Sequence, residues 1–258
     1  MTTTCDQCQQ EKDPSCREGW VTDPENPRDV SRCPKAMSGR AVAGLQRANI
    51  PTRFRDATVS GYNIDRSPIL KAARTTVVNY VTNFELGTTT WGILFYGPPG
   101  TGKTHLAVAA MNELVKRHAL SCAFFDFTEL LMRIQATFGN SSSTTTLDIV
   151  QPVKDVDILV LDELGGAKPT EWALDILYSI VNGRYGEGKA TMFTTNYPIA
   201  RRPSFAGDRA MVSDRPKEFE APLSDRVGGR IVSRLSEMSI DVSTEGAGDY
   251  RQKLRPKA

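Results

Sequence analysis

Five short apolar runs, separated by longer segments with helical spacing, dominate the hydrophobic pattern of the chain. The runs are rich in β-branched and aromatic side chains, which is typical of buried strands. They cover residues 91–96, 121–127, 156–161, 190–195 and 240–242. Because helical segments alternate with these runs, the pattern predicts an α/β fold with a parallel sheet between helices.

The segments between the runs repeat apolar residues every three to four positions. The predicted helices cover residues 67–84, 106–120, 128–138 and 174–185. In the third of these, Leu131, Ile134 and Phe138 form the apolar side. The polar stretch 139–146 follows it, consists mostly of Ser and Thr, and is interpreted as a flexible surface loop.

A phosphate-binding loop lies between the run at 91–96 and the helix that follows it. The stretch reads Gly97, Pro98, Pro99, Gly100, Thr101, Gly102, Lys103 and Thr104, with His105 directly after it. This is the pattern Gly-x-x-x-x-Gly-Lys-Ser/Thr in its strand–loop–helix context, where backbone N–H groups and the helix N-terminus bind a polyphosphate. Lys103 would neutralise the β- and γ-phosphates of ATP, and the Thr104 hydroxyl would bind Mg²⁺.

Two carboxylates, Asp162 and Glu163, follow the run at 156–161 directly. About 60 residues after Lys103, this is where the second half of a nucleotide-hydrolysing site is expected. Asp162 would hold Mg²⁺ through water, and Glu163 would orient and deprotonate the attacking water.

The next strand run, 190–195, is followed by Asn196. We interpret Asn196 as a side chain beside the γ-phosphate, between the ends of the two earlier strands, where it can sense hydrolysis. Asn also forms turns after strands, and that alternative remains open.

Near the C-terminus, Arg226, Arg230 and Arg234 are spaced four apart on a helix that Gly228 and Gly229 interrupt. Arginines without matching carboxylates either face solvent or face an anion. An arginine supplied to the γ-phosphate of a neighbouring subunit would stabilise the charge of the transition state.

The first 36 residues contain Cys5, Cys8, Cys16 and Cys33 among polar residues. Such a segment buries too little apolar surface to fold alone, and four thiolates around Zn²⁺ would stabilise it. The Cys5-x-x-Cys8 spacing is usual for zinc, whereas the later intervals are irregular. Free thiols in a disordered arm and disulfides are the alternatives.

Composition is that of a globular protein that stays in the cytoplasm. The sequence has 32 basic and 30 acidic residues, so its net charge of +2 gives no general attraction to nucleic acid. No apolar run approaches a membrane span, and the N-terminus lacks the apolar segment of a signal peptide. We therefore expect no membrane partner.

These motifs together resemble AAA+ ATPases of the DnaC/DnaI/IstB family. The resemblance rests on the phosphate loop, LVLDELG from Leu159, TTN from Thr194, the SRL at 233–235, IPTRFRDAT from Ile50, GGAKPTEW from Gly165 and the DYR at 249–251. It implies a five-stranded parallel sheet without a C-terminal lid domain, ATP-dependent self-association and binding of single-stranded DNA. It also implies an arginine finger, best assigned to Arg234, with Arg230 as the second choice.

Within this group the sequence is most similar to loaders of hexameric replicative helicases of the DnaB type. In those loaders an N-terminal zinc-binding region grips the helicase, which fits the cysteine-rich segment. The expected organisation is a partner-binding segment at 1–37, a connector at 38–65 and the AAA+ domain at 66–258. An IstB-like transposition ATPase that binds duplex DNA, and a nucleotide-gated protein–protein adaptor, are the alternatives.

Overall fold

The computed structural model describes residues 16–17, 20–22, 30–64, 67–138, 144–166, 169–199 and 221–250. The predicted zinc ligands Cys5 and Cys8, most of the Ser/Thr stretch, and the last eight residues lie outside this set. Within it, no helix combines the length and the apolar character needed to span a bilayer.

Near the N-terminus, three short strands form an antiparallel sheet, and one helix follows them. The strands are β1 (Cys16–Arg17), β2 (Trp20–Thr22) and β3 (Val30–Arg32), and the helix is α1 (Pro34–Arg47). A single 3₁₀ turn at Thr52–Phe54 then leads into an irregular segment. Ile50 before this turn, and Ala57 and Tyr62 after it, are buried in the main hydrophobic core.

The main sheet has five strands, all parallel, in the order β5-β6-β7-β4-β8. They are β4 (Gly92–Tyr96), β5 (Cys122–Asp126), β6 (Ile158–Leu164), β7 (Thr191–Thr195) and β8 (Ser239–Ser243). The sequence-based prediction of an α/β fold with a five-stranded parallel sheet is therefore confirmed.

Seven helices are described along this sheet. They are α2 (Pro68–Thr82), α3 (Lys103–His118), α4 (Phe127–Gln135), α5 (Thr146–Asp155), α6 (Glu171–Gly186), α7 (Ser224–Val227) and α8 (Gly229–Glu237). Alternate strand residues face opposite layers: Ile93 and Phe95 pack with α2 and α3, and Leu94 packs with α4, α5, α6 and α8. The sheet thus has one hydrophobic core on each face.

Helix α4 differs from its prediction. Asp126 caps it by accepting the Glu129 N–H at 3.0 Å, and the helix ends at Gln135. Its buried side carries Phe127, Leu130 and Ile134. Phe138 lies beyond the helix and is 60% exposed, so the prediction that it belongs to the apolar side is wrong.

Helix α5 begins inside the stretch interpreted as a loop. Thr145 and Asp148 cap each other's backbone N–H groups in a reciprocal capping box, which fixes the start of the helix at Thr146. Val150 and Val153 then form the buried inner face of the helix. The polar loop is correspondingly shorter than predicted.

Candidate active site

The phosphate loop connects β4, the strand next to one edge of the sheet, to α3. Gly102 caps α3 without a side chain and has a φ of 86°. A Cβ atom at this position would lie 2.6 Å from Tyr62 Cε2, so only glycine fits here. Since no side chain caps the helix, the N–H groups of its first turn point toward the loop, as phosphate binding requires.

Lys103 extends across this loop. Its Nζ donates hydrogen bonds to Gly97 O at 2.9 Å and to Pro98 O at 2.8 Å, and the side chain is buried. The ammonium group is thus held inside the curve of backbone where a polyphosphate would lie. The lysine and the glycine-rich backbone together fit ATP.

Thr104 and Asp162 bring the two halves of the site into contact. The Thr104 hydroxyl donates to Asp162 Oδ1 at 3.0 Å, although the two residues are 58 positions apart in the chain. A second hydroxyl, that of Thr194 on β7, donates to the same oxygen at 2.5 Å. One carboxylate oxygen therefore accepts hydrogen bonds from both neighbouring elements.

Burial raises the pKa of the Asp162 carboxyl above its ordinary value. The hydrogen bonds from Thr194 and Thr104 oppose this shift, and the charge of Asp126, its register partner on β5, adds to it. A hydroxyl and a half-buried carboxylate beside a second carboxylate are the oxygen donors that Mg²⁺ prefers. The donor set fits Mg²⁺ at Thr104 and Asp162.

Glu163 follows at an irregularity of β6. The pairing of β6 with β7 shifts between Leu161 and Leu164, and Glu163 adopts a left-handed φ of 62°. Its N–H donates to Thr194 Oγ1 at 3.0 Å. Glu163 is exposed at this bulge, and its role as a base acting on water stays a prediction.

Asn196 is the first residue after β7 and is half-buried. The strand order β6-β7-β4 places the end of β7 between the strands that carry Asp162 and the phosphate loop. Asn196 thus lies between the two strand ends, and its contact with the γ-phosphate stays a prediction.

The predicted arginine stripe is divided between two helices, because Gly228, with a φ of 86°, ends α7 before α8 begins. Arg230 stacks on the Tyr178 ring, 4.8 Å from its centroid, and Arg234 stacks on Tyr185 at 4.3 Å. Both arginines therefore lie along α6, on the outer surface of the helical layer.

Comparison with known proteins agrees with this geometry. The sequence profile of the family described as IstB-like ATP binding protein matches residues 59–215, more than half of the chain. The chain belongs to this family.

Three similar proteins give the family match more detail. The replicative helicase loader DnaC of Buchnera aphidicola subsp. Acyrthosiphon pisum is 27% identical over 180 residues, which is 69% of this chain and 70% of that protein. YqaM, an uncharacterized protein of Bacillus subtilis, is 27% identical over 169 residues, 62% of this chain but only 52% of YqaM. A crystal structure of the DnaC helicase loader superimposes with a TM-score of 0.60 at 28% identity, over 75% of this chain and 99% of that one.

The site of this IstB-like protein also contains several residues that the sequence motifs did not indicate. Thr194 is the clearest, because it contacts both Asp162 and the Glu163 backbone. Tyr62 donates its hydroxyl to Thr101 O at 2.6 Å, and Thr58 O lies 3.0 Å from His105 Nε2. The TT before Asn196 was a usable signal for Thr194, whereas nothing in the sequence indicates where the connector residues Thr58 and Tyr62 lie.

The zinc prediction is not tested by these residues. Cys33 is buried at the start of α1, and only the backbone of Cys16 is described. Among the described residues, no group of three or more His, Cys, Asp or Glu could hold a metal ion. Zinc binding by Cys5, Cys8, Cys16 and Cys33 stays a prediction.

Proposed function

We propose that this protein is an ATPase that binds a replicative helicase of the DnaB type and places it on single-stranded DNA. The observation that carries the proposal is the contact between Thr104 and Asp162, 3.0 Å between Oγ1 and Oδ1. It joins the phosphate loop to the strand end that bears Glu163. Family membership and the relatives named as replicative helicase loaders support the biological role.

In this proposal each residue of the site has one task. The loop from Gly97 to Thr104 binds the phosphates of ATP, Lys103 neutralises their charge, and Thr104 and Asp162 hold Mg²⁺. The metal ion supplies charge stabilisation at the phosphoryl oxygens. Glu163 orients and deprotonates water, Thr194 fixes the backbone of Glu163, and Asn196 contacts the γ-phosphate.

Arg234, with Arg230 as the second choice, acts on ATP bound by a neighbouring subunit. Two features support this role. Arg230 lies over the Tyr178 ring and donates to its hydroxyl at 3.2 Å, and Arg234 lies over the Tyr185 ring with a Glu237 carboxylate oxygen 3.9 Å away, a long distance for an ion pair. Their place on the outer helix layer also leaves them accessible to a second subunit. The proposed role requires an oligomer that forms with ATP.

The exposed ring of Phe138 and the half-buried Trp172, which lines a groove together with Glu163, support the binding of single-stranded DNA. Phe138, 60% exposed, packs edge-to-face on Trp172 with the ring centroids 5.4 Å apart. Met132, 62% exposed, lines the same mainly apolar groove of about 170 Å³ as Trp172, and Glu163 stands at that groove. Exposed rings that accept stacked bases are a recurring way to bind single strands without sequence preference.

The cysteine-rich N-terminus is the proposed contact with the helicase. Zinc bound by Cys5, Cys8, Cys16 and Cys33 would order it. Pull-down of the helicase before and after zinc chelation tests this part: retained binding without zinc would assign the contact to another segment.

Lys103→Ala and Glu163→Gln test the catalytic core together. We expect Lys103→Ala to lose ATP binding, and Glu163→Gln to bind ATP without turnover. Steady-state hydrolysis and fluorescent-nucleotide titration measure the two quantities. Wild-type hydrolysis in both variants would refute the proposal, as would failure of the active protein to load helicase onto a single-stranded circle.

The match to the IstB-like profile favours one alternative, an ATPase that coats duplex DNA in transposition. The two functions differ in their preferred strand. ATP-dependent binding that is tighter to a duplex than to a single strand of the same length, without affinity for helicase, would support the alternative.

A further inference from the structure

Arg226 on α7 forms two hydrogen bonds to the turn that follows Glu163. Its Nε donates to Gly165 O at 3.0 Å and its Nη2 donates to Gly166 O at 3.1 Å. The Gly166 N–H donates in turn to Glu163 O at 3.1 Å. One guanidinium thus holds two consecutive carbonyls of the turn that closes on the proposed base.

The same guanidinium connects this turn to the end of β7. It lies over the Tyr197 ring, 4.7 Å from the centroid, and Tyr197 is buried directly after Asn196. The Leu223 N–H anchors the start of α7 by donating to Pro198 O at 2.7 Å. Arg226 is therefore in contact with both strand ends that carry the proposed catalytic groups.

The turn needs such support because its backbone is strained. Glu163 has a φ of 62° and Gly165 a φ of 78°, and a Cβ on Gly165 would lie within 3.3 Å of atoms of Leu223, Tyr197 and Arg226. A left-handed conformation at a residue other than glycine persists only when its surroundings hold it. Hydrogen bonds from a charged donor are stronger than those from a neutral one, and the planar fork of arginine fits two adjacent carbonyls.

We propose that Arg226 is a positioning residue for Glu163, which it acts on through the Gly165–Gly166 turn without contacting ATP. This inference rests on the proposed function, because it assigns Glu163 to water activation. It also gives Arg226 a different role from Arg230 and Arg234, although the three arginines share the same four-residue spacing.

Replacement of Arg226 should lower turnover while nucleotide affinity stays unchanged. Arg226→Gln is expected to reduce kcat about 10- to 100-fold, since a supporting residue fixes the geometry of a reacting group. KM and the Kd for a fluorescent ATP analogue should stay within about twofold, because the Arg226 guanidinium binds the Gly165–Gly166 turn and the Tyr197 ring. Arg117→Gln, at the far end of α3 from the phosphate loop, is the matched control and should keep wild-type kcat.

Arg226→Lys keeps the charge and the aliphatic stem but lacks the planar fork. Its kcat should fall between the wild type and Arg226→Gln, and its melting temperature should stay close to the wild type. Amide hydrogen exchange should accelerate at residues 163–166 in both variants and stay unchanged at residues 97–104.

The outcomes separate this inference from the proposed function. If Glu163→Gln stops hydrolysis while both Arg226 variants retain wild-type kcat, the positioning role is wrong and the ATPase stands. If nucleotide affinity falls as far as kcat in the Arg226 variants, the effect is general destabilisation and the inference fails as well. Normal hydrolysis in Glu163→Gln would overturn the proposed function itself.

Discussion

At the scale of single residues, Glu163 is both the proposed base and a site of backbone strain. Its left-handed φ of 62° is unfavourable for glutamate and tolerated by asparagine. We expect Glu163→Asn to be about 1 kcal/mol more stable than Glu163→Ala, because both lose the carboxylate and only asparagine relieves the strain. Urea denaturation without nucleotide measures the difference, and equal stabilities would show that the turn is not strained.

Asp162 gives a prediction about pH. Its raised pKa means that the folded chain binds the proton more tightly than the unfolded chain, so charging the carboxyl as pH rises destabilises the fold. In the absence of Mg²⁺ and nucleotide, Asp162→Asn should therefore be more stable than the wild type at pH 7. The advantage should disappear below about pH 4, where the carboxyl is protonated in both states.

A pH series of urea denaturations on the two proteins provides the measurement. The asparagine retains an oxygen for the hydroxyls of Thr104 and Thr194, so the comparison isolates the charge. An advantage that is constant across the series would assign the effect to packing instead.

At the scale of elements, Arg184 connects helix α6 to α5, β6 and β7. The side chain is fully buried on α6 and donates to Thr191 on β7 and to five backbone carbonyls at the ends of α5, before β6 and before β7. Burial lowers its pKa to about 10, so it stays charged at neutral pH. All five carbonyls would lose a charged donor together if the guanidinium were removed.

Arg184→Ala is accordingly expected to cost more than about 3 kcal/mol of stability, because it removes a buried charged donor from five carbonyls at once. Arg117→Ala, which removes an exposed arginine 3.9 Å from Glu113, should change stability by less than about 0.5 kcal/mol. Chemical denaturation of both variants makes the comparison. Similar losses would show that water replaces the guanidinium of Arg184.

Arg184 also marks the limit of sequence analysis at this scale. The five strands of the main sheet, the phosphate loop and the Asp162–Glu163 pair could be predicted because local hydrophobic period and motif spacing determine them. The contacts of Arg184 and Thr194 join residues about 30 positions apart, and no periodicity encodes them. Helix α5 was missed for another reason: Pro152 lies inside it, and its capping box begins in a run of threonines.

At the scale of the whole molecule, the proposed role of Arg234 requires that two subunits share one site. Mixing Arg234→Ala with Glu163→Gln should restore hydrolysis that neither variant shows alone, because each supplies what the other lacks. Random assembly predicts recovery of about a quarter of the wild-type rate.

An Arg230→Ala variant mixed in the same way distinguishes the two candidates. If hydrolysis recovers in the mixture with Arg230→Ala and not in the mixture with Arg234→Ala, the arginine finger is Arg230. No recovery in either mixture would confine catalysis to a single subunit.

The backbone of α1 has a consequence that lies outside catalysis. The carbonyl of Ala48, just after that helix, accepts the Phe124 N–H of β5 at 2.7 Å, and β5 is one of the two edge strands of the sheet. Uncovered outer strands recruit other chains and promote aggregation. A fragment that begins at residue 66 retains every catalytic group named above but leaves this edge strand uncovered. We therefore expect the fragment to aggregate more than the full chain, while its soluble fraction still hydrolyses ATP.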